Sequence, residues 1–282
     1  MDIGTVMGIV TFLGMAVAMI YYAEGWAGFK PFANMEALLM VMGGTFCATL
    51  VNYPLKQVVG LGKITRKVLF QGVEDTAGIV VTFRALSEKA KKEGFLAIEQ
   101  DVARLEDDFM KRGIQMVLEG QDQEFIRNML ETELGFIRER HKGGAEIFNA
   151  LGTYSPAFGI IGTVLGMIMM LSSIEDVAAV PRRMALALAA AFYGLGSGYL
   201  IFLPMGGKLK RRSEEELLVK EIIIRGVLLL QSGATPSIVE ANLKAYLEPS
   251  QRVLVKTNEE PAPAAGAEAA PGGAPAGPAA RK

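Results

Sequence analysis

Long stretches without charged residues alternate with highly charged ones along this chain. Residues 3–23, 37–55, 147–174 and 184–207 contain no Asp, Glu, Lys, Arg or His, and they are 21, 19, 28 and 24 residues long. About 20 apolar residues in a helix span a hydrocarbon core of roughly 30 Å. A buried helix of a water-soluble protein is the alternative, but such helices rarely avoid charge over this length. The pattern therefore predicts four transmembrane helices.

The third stretch is longer than one membrane crossing needs. Its first residues include Asn149, Gly152 and Thr153, so we expect its membrane part to start near Tyr154. Pro156 would then lie in the first turn of that helix, where the missing N–H costs little.

The distribution of Lys and Arg predicts the orientation of the four helices. The connection 23–36 has one such residue and the connection 175–183 has two, whereas residues 56–146 have 15 and residues 208–282 have 11. Cytoplasmic connections of membrane proteins are enriched in Lys and Arg. We therefore expect both termini and the long middle segment in the cytoplasm. Asp2, rather than a basic residue, precedes the first stretch, so we interpret that stretch as a helix and not as a cleaved signal peptide.

These patterns predict an all-α polytopic membrane protein with four transmembrane helices and a helical cytoplasmic domain. We divide the chain into a first transmembrane hairpin, a helical cytoplasmic domain, a second transmembrane hairpin, cytoplasmic C-terminal helices and an Ala/Pro/Gly-rich tail, at residues 1–55, 56–146, 147–207, 208–250 and 251–282. The tail has too few large apolar residues to offset the entropy of ordering, so we expect it to be disordered.

Within the cytoplasmic part, apolar residues recur at helical spacing, as in 79–86 and 125–137. Glycines at 94, 113 and 120 predict breaks between several short helices rather than one rod. After the fourth span, residues 208–230 predict a charged amphipathic helix. Ser237 with Glu240 has the spacing of a capping box and predicts the start of a last helix.

The composition excludes several function classes. The chain has 29 Lys and Arg against 30 Asp and Glu, a formal net charge of −1, which argues against nucleic-acid binding. Cys47 and His141 are the only residues of their types in the sequence, which excludes a disulfide framework and a Cys/His metal cluster. We find no catalytic motif and expect no enzyme activity, no metal site and no cofactor.

Small residues inside the predicted spans indicate close helix packing. Three glycine pairs have the i,i+4 spacing that lets helix backbones approach in lipid: Gly4 and Gly8, Gly162 and Gly166, Gly194 and Gly198. We expect these pairs to serve assembly between copies of the chain. The alternative is that glycine is simply common in membrane helices.

The predicted spans lack the groups that proton pumps and transporters use as carriers. Such proteins place Asp, Glu, Lys, Arg or His within the membrane, and the four predicted spans contain none of these residues. If the chain handles ions, it forms a wall of the path and a partner supplies the carboxylate.

Several segments of the chain match motifs of one family. Residues 156–166, PAFGIIGTVLG, and residues 192–194 and 202–210 resemble the third and fourth membrane helices of MotA/PomA, the ring-forming subunit of the bacterial flagellar stator. Residues 90–99, AKKEGFLAIE, and 233–240, GATPSIVE, resemble its torque-loop and C-terminal motifs. The resemblance covers roughly residues 1–250 and leaves the tail outside.

The resemblance implies roles for residues of the ion path. Pro156 and Pro204 match the two prolines that couple ion passage to movement, although a helix-start role competes for Pro156. Thr163 and Ala191 match the two positions at which sodium-using relatives carry threonine, and Tyr193 is adjacent to this path. Since Ala191 offers no side-chain oxygen, we favour protons over sodium. Thr163 has an alternative, a hydrogen bond to the carbonyl one turn earlier.

The resemblance also implies partners and a location. Lys91, Lys92 and Glu99 match the cytoplasmic charges that meet the rotor protein FliG, and Lys91 and Glu99 share a helical face if no break falls at Gly94. Solvation is the alternative role of these three charges. A MotB-type single-span subunit would carry the ion-binding Asp, surrounded by a homopentameric ring of this chain in the lipid of the bacterial inner membrane.

Two other functions remain open. The chain could be an ExbB/TolQ-like energiser subunit, although those relatives have three spans and a single hairpin. It could also be a structural membrane scaffold without ion flux.

Overall fold

A computed structural model describes residues 3–60, 62, 76–247, 249 and 252. Every regular element in these residues is a helix, which confirms the predicted all-α fold. Four helices are long and apolar enough to cross a membrane: Val6–Phe32, Met35–Asn52, Gln123–Leu171 and Ala179–Gln231. The predicted number of membrane-spanning helices is therefore confirmed.

Eight helices organise the described residues, and two of them contain a π-helical turn. They are α1 (Ile3–Glu24), followed by a 3₁₀ segment (Gly25–Phe32); α2 (Met35–Asn52), with a π turn at Leu39–Gly43; α3 (Thr76–Glu93), followed by a 3₁₀ turn (Phe95–Ile98); α4 (Glu99–Ala103); α5 (Asp108–Leu118); α6 (Gln123–Leu171); α7 (Ala179–Gln231), with a π turn at Ser197–Phe202; and α8 (Pro236–Lys244). Residues 55–60 add a short helical segment after α2.

Helices α6 and α7 form one antiparallel hairpin that carries both the apolar membrane part and the part predicted to be cytoplasmic, which we call the cytoplasmic domain. They are 49 and 53 residues long, about 75–80 Å at 1.5 Å per residue, more than twice a hydrocarbon core. Pro156 lies well inside α6. The expectation that a helix starts near Pro156 is wrong, because the same helix continues from the cytoplasmic domain into the membrane.

A single apolar cluster holds the cytoplasmic domain together. Its members come from α3 to α5, from the cytoplasmic halves of α6 and α7, and from α8. Side chains with no exposed surface include Phe83, Ile98, Ile114, Ile126 and Ile222. Burying such side chains contributes about 1.5–3 kcal/mol each, so this core fixes how the two long helices leave the membrane.

The glycines of this domain have two different roles. Gly94 (φ +88°) and Gly120 (φ +75°) adopt the left-handed backbone that ends a helix, as the predicted breaks require. Gly113 lies inside α5, and the predicted break there is wrong. A Cβ at Gly113 would lie 2.9 Å from Cγ2 of Val227. The absence of a side chain at Gly113 therefore leaves room for this side chain of α7.

The last helix begins differently from the predicted capping box. Thr235 occupies the N-cap position without a side-chain hydrogen bond, and Pro236 starts α8. Glu240 instead pairs with Arg84 of α3 at 3.0 Å and with Lys244. The Ser87 hydroxyl donates to the carbonyl of Ala234 at 2.8 Å. Tertiary contacts with α3 therefore take the place of the local cap.

An ion pair inside the domain joins the start of α5 to α7. Asp107 caps α5 by accepting the Met110 N–H at 2.8 Å, and it pairs with Lys220, which is buried. The Lys220 ammonium also lies 5.5 Å from the ring centre of Phe109. Burial raises the pKa of Asp107, but the hydrogen bonds from Lys220 and from the Met110 N–H outweigh this effect, so the net shift is downward.

Replacing Lys220 should destabilise the domain in a pH-dependent way. We expect Lys220→Met to cost about 2 kcal/mol at neutral pH, because it leaves a half-buried carboxylate without its charged donor. A carboxylate with a lowered folded pKa stabilises above its unfolded pKa of about 4, and this contribution is lost as the pH falls through the folded value. Thermal unfolding in detergent, followed by circular dichroism at several pH values, measures both effects.

The control is Lys89→Met, which breaks the exposed Lys89–Asp101 pair at 2.7 Å. It should cost less than about 1 kcal/mol. An equal loss of stability in the two variants would contradict a special role for Lys220.

Candidate functional site

Helices α6 and α7 contact each other through backbone atoms along their membrane part. A Cβ at Gly194 would lie 2.7 Å from the α-carbon of Gly159 and 2.7 Å from the carbonyl oxygen of Ser155. One turn further along α6, a Cβ at Gly162 would lie 2.5 Å from Cβ of Ala190. Since real Cβ atoms do not approach this closely, only glycine allows the two helices to approach at these positions.

Of the six glycines predicted to pack helices, the four on α6 and α7 lie in this contact. Gly166 faces Ala187, and Gly198 faces Pro156, in addition to Gly162 and Gly194. The contact joins two helices of the same chain, and packing of these glycines between copies stays a prediction. Gly8 of α1 has no atom within 4 Å of an added Cβ, and its role between copies stays a prediction.

Pro156 faces the π turn of α7. A Cβ at Gly198 would lie 2.8 Å from Cδ of Pro156 and 2.9 Å from the carbonyl oxygen of Gly152. Proline has no N–H, so this carbonyl loses its normal helical donor. Gly198 of α7 faces this carbonyl oxygen instead. We call Pro156 together with the π turn Ser197–Phe202 the joint, because regular main-chain hydrogen bonding is interrupted there on both helices.

Two serine hydroxyls cross the joint. Ser155 Oγ lies 2.6 Å from Ser197 Oγ, and the Ser197 hydroxyl also lies 2.6 Å from the carbonyl oxygen of Tyr193. Ser155 is completely buried. Ser155 is a site residue that the sequence reasoning missed, and its position directly before Pro156 was the available signal.

Pro204 follows the joint on α7. It lies near the first turn of the helical segment Leu203–Gln231, immediately after the π turn, and its ring is exposed in the single chain. Its missing N–H removes a further main-chain hydrogen bond from this region. The structure thus places both predicted prolines beside one irregular turn.

Thr163 and Ala191 lie near the same helix contact. The Thr163 hydroxyl donates its hydrogen to the carbonyl of Ile160 at 2.7 Å, as in the alternative interpretation, and its oxygen keeps acceptor lone pairs. A Cβ placed on Gly159 would lie 3.6 Å from the α-carbon of Ala191. Gly159 comes one helical turn before Thr163 on α6. At this position of α7, no side-chain oxygen complements that of Thr163.

Tyr193 connects the two hairpins. Its hydroxyl donates to the carbonyl of Phe32 and accepts the N–H of Asn34 at 3.2 Å. The side chain of Asn34 in turn caps α2 by accepting the N–H of Ala37 at 3.0 Å. Tyr193 therefore orients the start of α2 against α7, and its part in an ion path stays a prediction.

Apolar side chains cover the outside of the membrane helices in the single chain. Helix α1 makes its main contacts with its own 3₁₀ segment, and its side chains are largely exposed. Exposed apolar side chains on α6 and α7 include Ile160, Val164, Ile168, Leu188, Leu195 and Tyr199. Surfaces of this kind are covered by lipid or by other helices.

The predicted rotor-facing charges flank the turn between α3 and α4, which we call the tip. Lys91 and Lys92 belong to the last turn of α3, and Glu99 begins α4. The break at Gly94 separates them, so Lys91 and Glu99 do not share a helical face. Lys92 pairs with Glu88 at 2.6 Å, and the hydrogen bond from this exposed lysine lowers the pKa of Glu88.

The tip combines exposed charge with an apolar side chain. Leu96 is 80% exposed between the charged residues, whereas Ile98 is completely buried and anchors the 3₁₀ turn. An ion pair between Lys89 and Asp101 connects α3 to α4 behind the turn. The turn that carries Lys91, Lys92 and Glu99 is therefore held in place by the buried Ile98 and by this ion pair.

Comparison with known proteins shows extensive similarity. Residues 101–222 match the model of the MotA/TolQ/ExbB proton channel family. The chain is 31% identical to Motility protein A of Bacillus subtilis strain 168 over 255 residues, which cover 90% of this chain and 93% of the relative. It is 31% identical to Chemotaxis protein PomA of Vibrio alginolyticus, with coverage of 90% and 98%.

Solved structures show the same fold. The flagellar MotAB stator complex from Bacillus subtilis matches with a TM-score of 0.79 and 31% identity, covering 88% of this chain and 97% of that chain. The structure of C. jejuni MotAB matches with a TM-score of 0.80 and 23% identity, with the same coverage.

The backbone contact between α6 and α7 can be tested with two glycines that lie two residues apart. Gly194→Ala would place a methyl group against the backbone of Ser155 and Gly159, and overpacking of this kind costs about 1–3 kcal/mol. Gly196→Ala is the matched control, because a Cβ there meets no atom within 4 Å. Thermal unfolding of the detergent-solubilised protein should show a lower midpoint for Gly194→Ala alone. Equal midpoints would contradict the contact.

Proposed function

This chain belongs to the MotA/PomA family of flagellar stator subunits, and we propose that it works with a MotB-type partner to couple ion flow across the inner membrane to torque on the rotor. Similarity to motility proteins over about 90% of the chain supports this proposal. The observation that carries it is the joint, where Pro156, the π turn and Pro204 lie together on the two helices that continue into the cytoplasm.

The partner must supply the ion-binding group. The membrane stretches 147–174 and 184–207 contain no Asp, Glu, Lys, Arg or His, the side chains that carry protons in membrane pumps and transporters. A carboxylate on a neighbouring single-span helix, the Asp of a MotB-type subunit, would fill this role. The exposed apolar faces of α6 and α7 suit contact with such a helix and with lipid.

The joint is where a change of charge on the partner can act. Both helices lack regular hydrogen bonds there, and such places bend with fewer broken contacts than a continuous helix does. One elementary charge crossing 100 mV is worth about 2.3 kcal/mol. That energy is enough to shift the population between two arrangements of similar stability. Protonation of the partner's carboxylate would therefore change how it contacts the ring near Pro156, Thr163 and Pro204.

Movement at the joint has a direct path to the cytoplasm. Helices α6 and α7 continue as helices into the buried apolar cluster that also holds α3 and α4. A shift of either helix in the membrane therefore displaces the tip that carries Lys91, Lys92 and Glu99. We propose that these charges engage the rotor protein FliG as a ring of five chains moves around the MotB-type pair.

The side chains near the path favour protons. Dehydrated sodium requires several oxygen ligands. Thr163 offers a single hydroxyl oxygen, and Ala191 has no side-chain oxygen to add to it. A proton needs only the partner's carboxylate, so we propose proton coupling, with both termini of this chain on the cytoplasmic side of the inner membrane.

The other functions are less well supported. An ExbB/TolQ-like subunit would have three spans, whereas four helices here are long and apolar enough to cross a membrane. A scaffold without ion flux would not require prolines beside an irregular turn.

Replacing Pro204 tests coupling against a scaffold role. We expect Pro204→Ala to abolish swimming, because it restores a main-chain hydrogen bond next to the π turn. The variant should still reach the membrane and bind its partner. Swimming in soft agar and co-purification of the tagged complex measure the two properties. Normal swimming of the variant would favour the scaffold.

Proton coupling makes a separate prediction: wild-type cells should also swim in sodium-free medium.

Charge reversal at the tip tests the rotor contact. Lys91→Glu places a like charge against an acidic partner surface, which costs several kcal/mol in an interface. We expect slower rotation with unchanged membrane assembly, and partial recovery when an acidic rotor residue is changed to lysine. Lys142→Glu, an exposed charge reversal on α6, is the control. Tethered-cell rotation speed is the measurement. Equal speeds for both variants in every rotor background would rule out this contact.

A further inference from the structure

The cytoplasmic half of α6 exposes an apolar stripe that the single chain does not cover. Phe125, Met129 and Phe136 are 46%, 52% and 74% exposed. They are four and seven residues apart, so they lie along one face of the helix. The core-facing side chains of the same segment, such as Ile126 and Leu130, are completely buried. The aromatic stripe therefore lies beside the core face. Phe136 borders a pocket that Phe109 and Lys220 also line, yet most of its ring stays exposed.

The other flank of α6 carries a groove of about 510 Å³. Leu134 and Leu228 line its apolar part, Tyr246 forms a wall, and Arg127 and Arg225 are among three arginines that line it with two glutamates. A Cβ added at Gly135 would meet no atom within 4 Å, so the groove has free space where other residues would place a side chain.

The two surfaces are complementary in chemistry and in position. An exposed phenylalanine ring suits a cavity with apolar lining, a tyrosine wall and arginine groups, which interact favourably with aromatic faces. At 100° per residue, the stripe and the groove are roughly 150° apart around α6, on either side of its core face. A ring in which each chain contacts the next in the same way needs two different matching surfaces on each chain.

We propose that the aromatic stripe of one copy, centred on Phe136, binds the groove beside Gly135 and Tyr246 of the next copy. This contact closes the ring in the cytoplasm, in addition to any contact between membrane helices, and it rests on the ring assembly of the proposed function. It joins the α6 helices of neighbouring copies directly, so a shift of one subunit is passed to the next below the membrane.

Cysteine crosslinking in the assembled complex tests the contact. In a Cys47→Ser background, a chain with both Phe136→Cys and Tyr246→Cys is co-expressed with its MotB-type partner and treated in membranes with a short bis-maleimide. A denaturing gel should show a ladder of linked chains. Each single substitution should give none, because neither position meets itself in the next copy. An intact complex without a ladder would overturn the proposal and would assign the stripe to another occupant.

Filling the groove provides a second test. Gly135→Trp adds a side chain into open space, and Phe136→Glu removes the aromatic group; either change should reduce the ladder more than tenfold, as loss of one dominant interface side chain does. Both changes are introduced with a crosslinking pair at Met129→Cys and Tyr246→Cys. Leu96→Glu, an acidic replacement of an exposed side chain at the tip, is the matched control and should keep the ladder. An undiminished ladder in the filled-groove variant would also overturn the contact.

The same strains separate this proposal from the proposed function. Chains that swim normally and give no ladder would refute the cytoplasmic contact and leave the stator function intact. A strain that lacks the chain yet swims normally would refute the stator function, whatever the crosslinks show.

Discussion

The close approach of α6 and α7 at Gly159 and Gly194 is the constraint on which the rest of the molecule depends. No side chain separates the two backbones there, so the facing positions along both helices are set by main-chain geometry. Pro156 consequently faces the π turn of α7, and Ser155 meets Ser197. In lipid, where apolar side chains gain little from leaving their surroundings, packing of this kind is the main source of helix association.

Two different kinds of packing hold the same pair of helices at their two ends. In the membrane, small residues bring backbones together; in the cytoplasm, large side chains such as Ile126 and Ile222 fill a core that excludes water. The hydrophobic effect stabilises only the second arrangement. The cytoplasmic core can therefore act as a firm support for the tip, while the membrane part keeps an irregular joint that can respond to a neighbouring charge.

Much of the fold followed from local patterns. The uncharged stretches predicted four membrane-spanning helices because hydrocarbon excludes charge wherever the helix lies, and Gly94 and Gly120 marked helix ends because their backbone conformation is local. The helix break predicted at Gly113 was wrong. The lack of a side chain at Gly113 leaves room for Val227 of α7, a helix far away in sequence. Lys91 and Glu99 were named as site residues from a motif, but their relative placement depended on the break at Gly94.

The sequence by itself determined which stretches can span a membrane, where the chain turns at Gly94 and Gly120, and that the membrane stretches contain no Asp, Glu, Lys, Arg or His, because these properties belong to composition and short-range spacing. Only the tertiary structure decided that the packing glycines join helices of one chain, that Pro156 lies within a continuous helix opposite a π turn, and that the Tyr193 hydroxyl holds the start of α2. These are contacts between residues distant along the chain, and their geometry depends on which helix faces are brought together when the two hairpins pack.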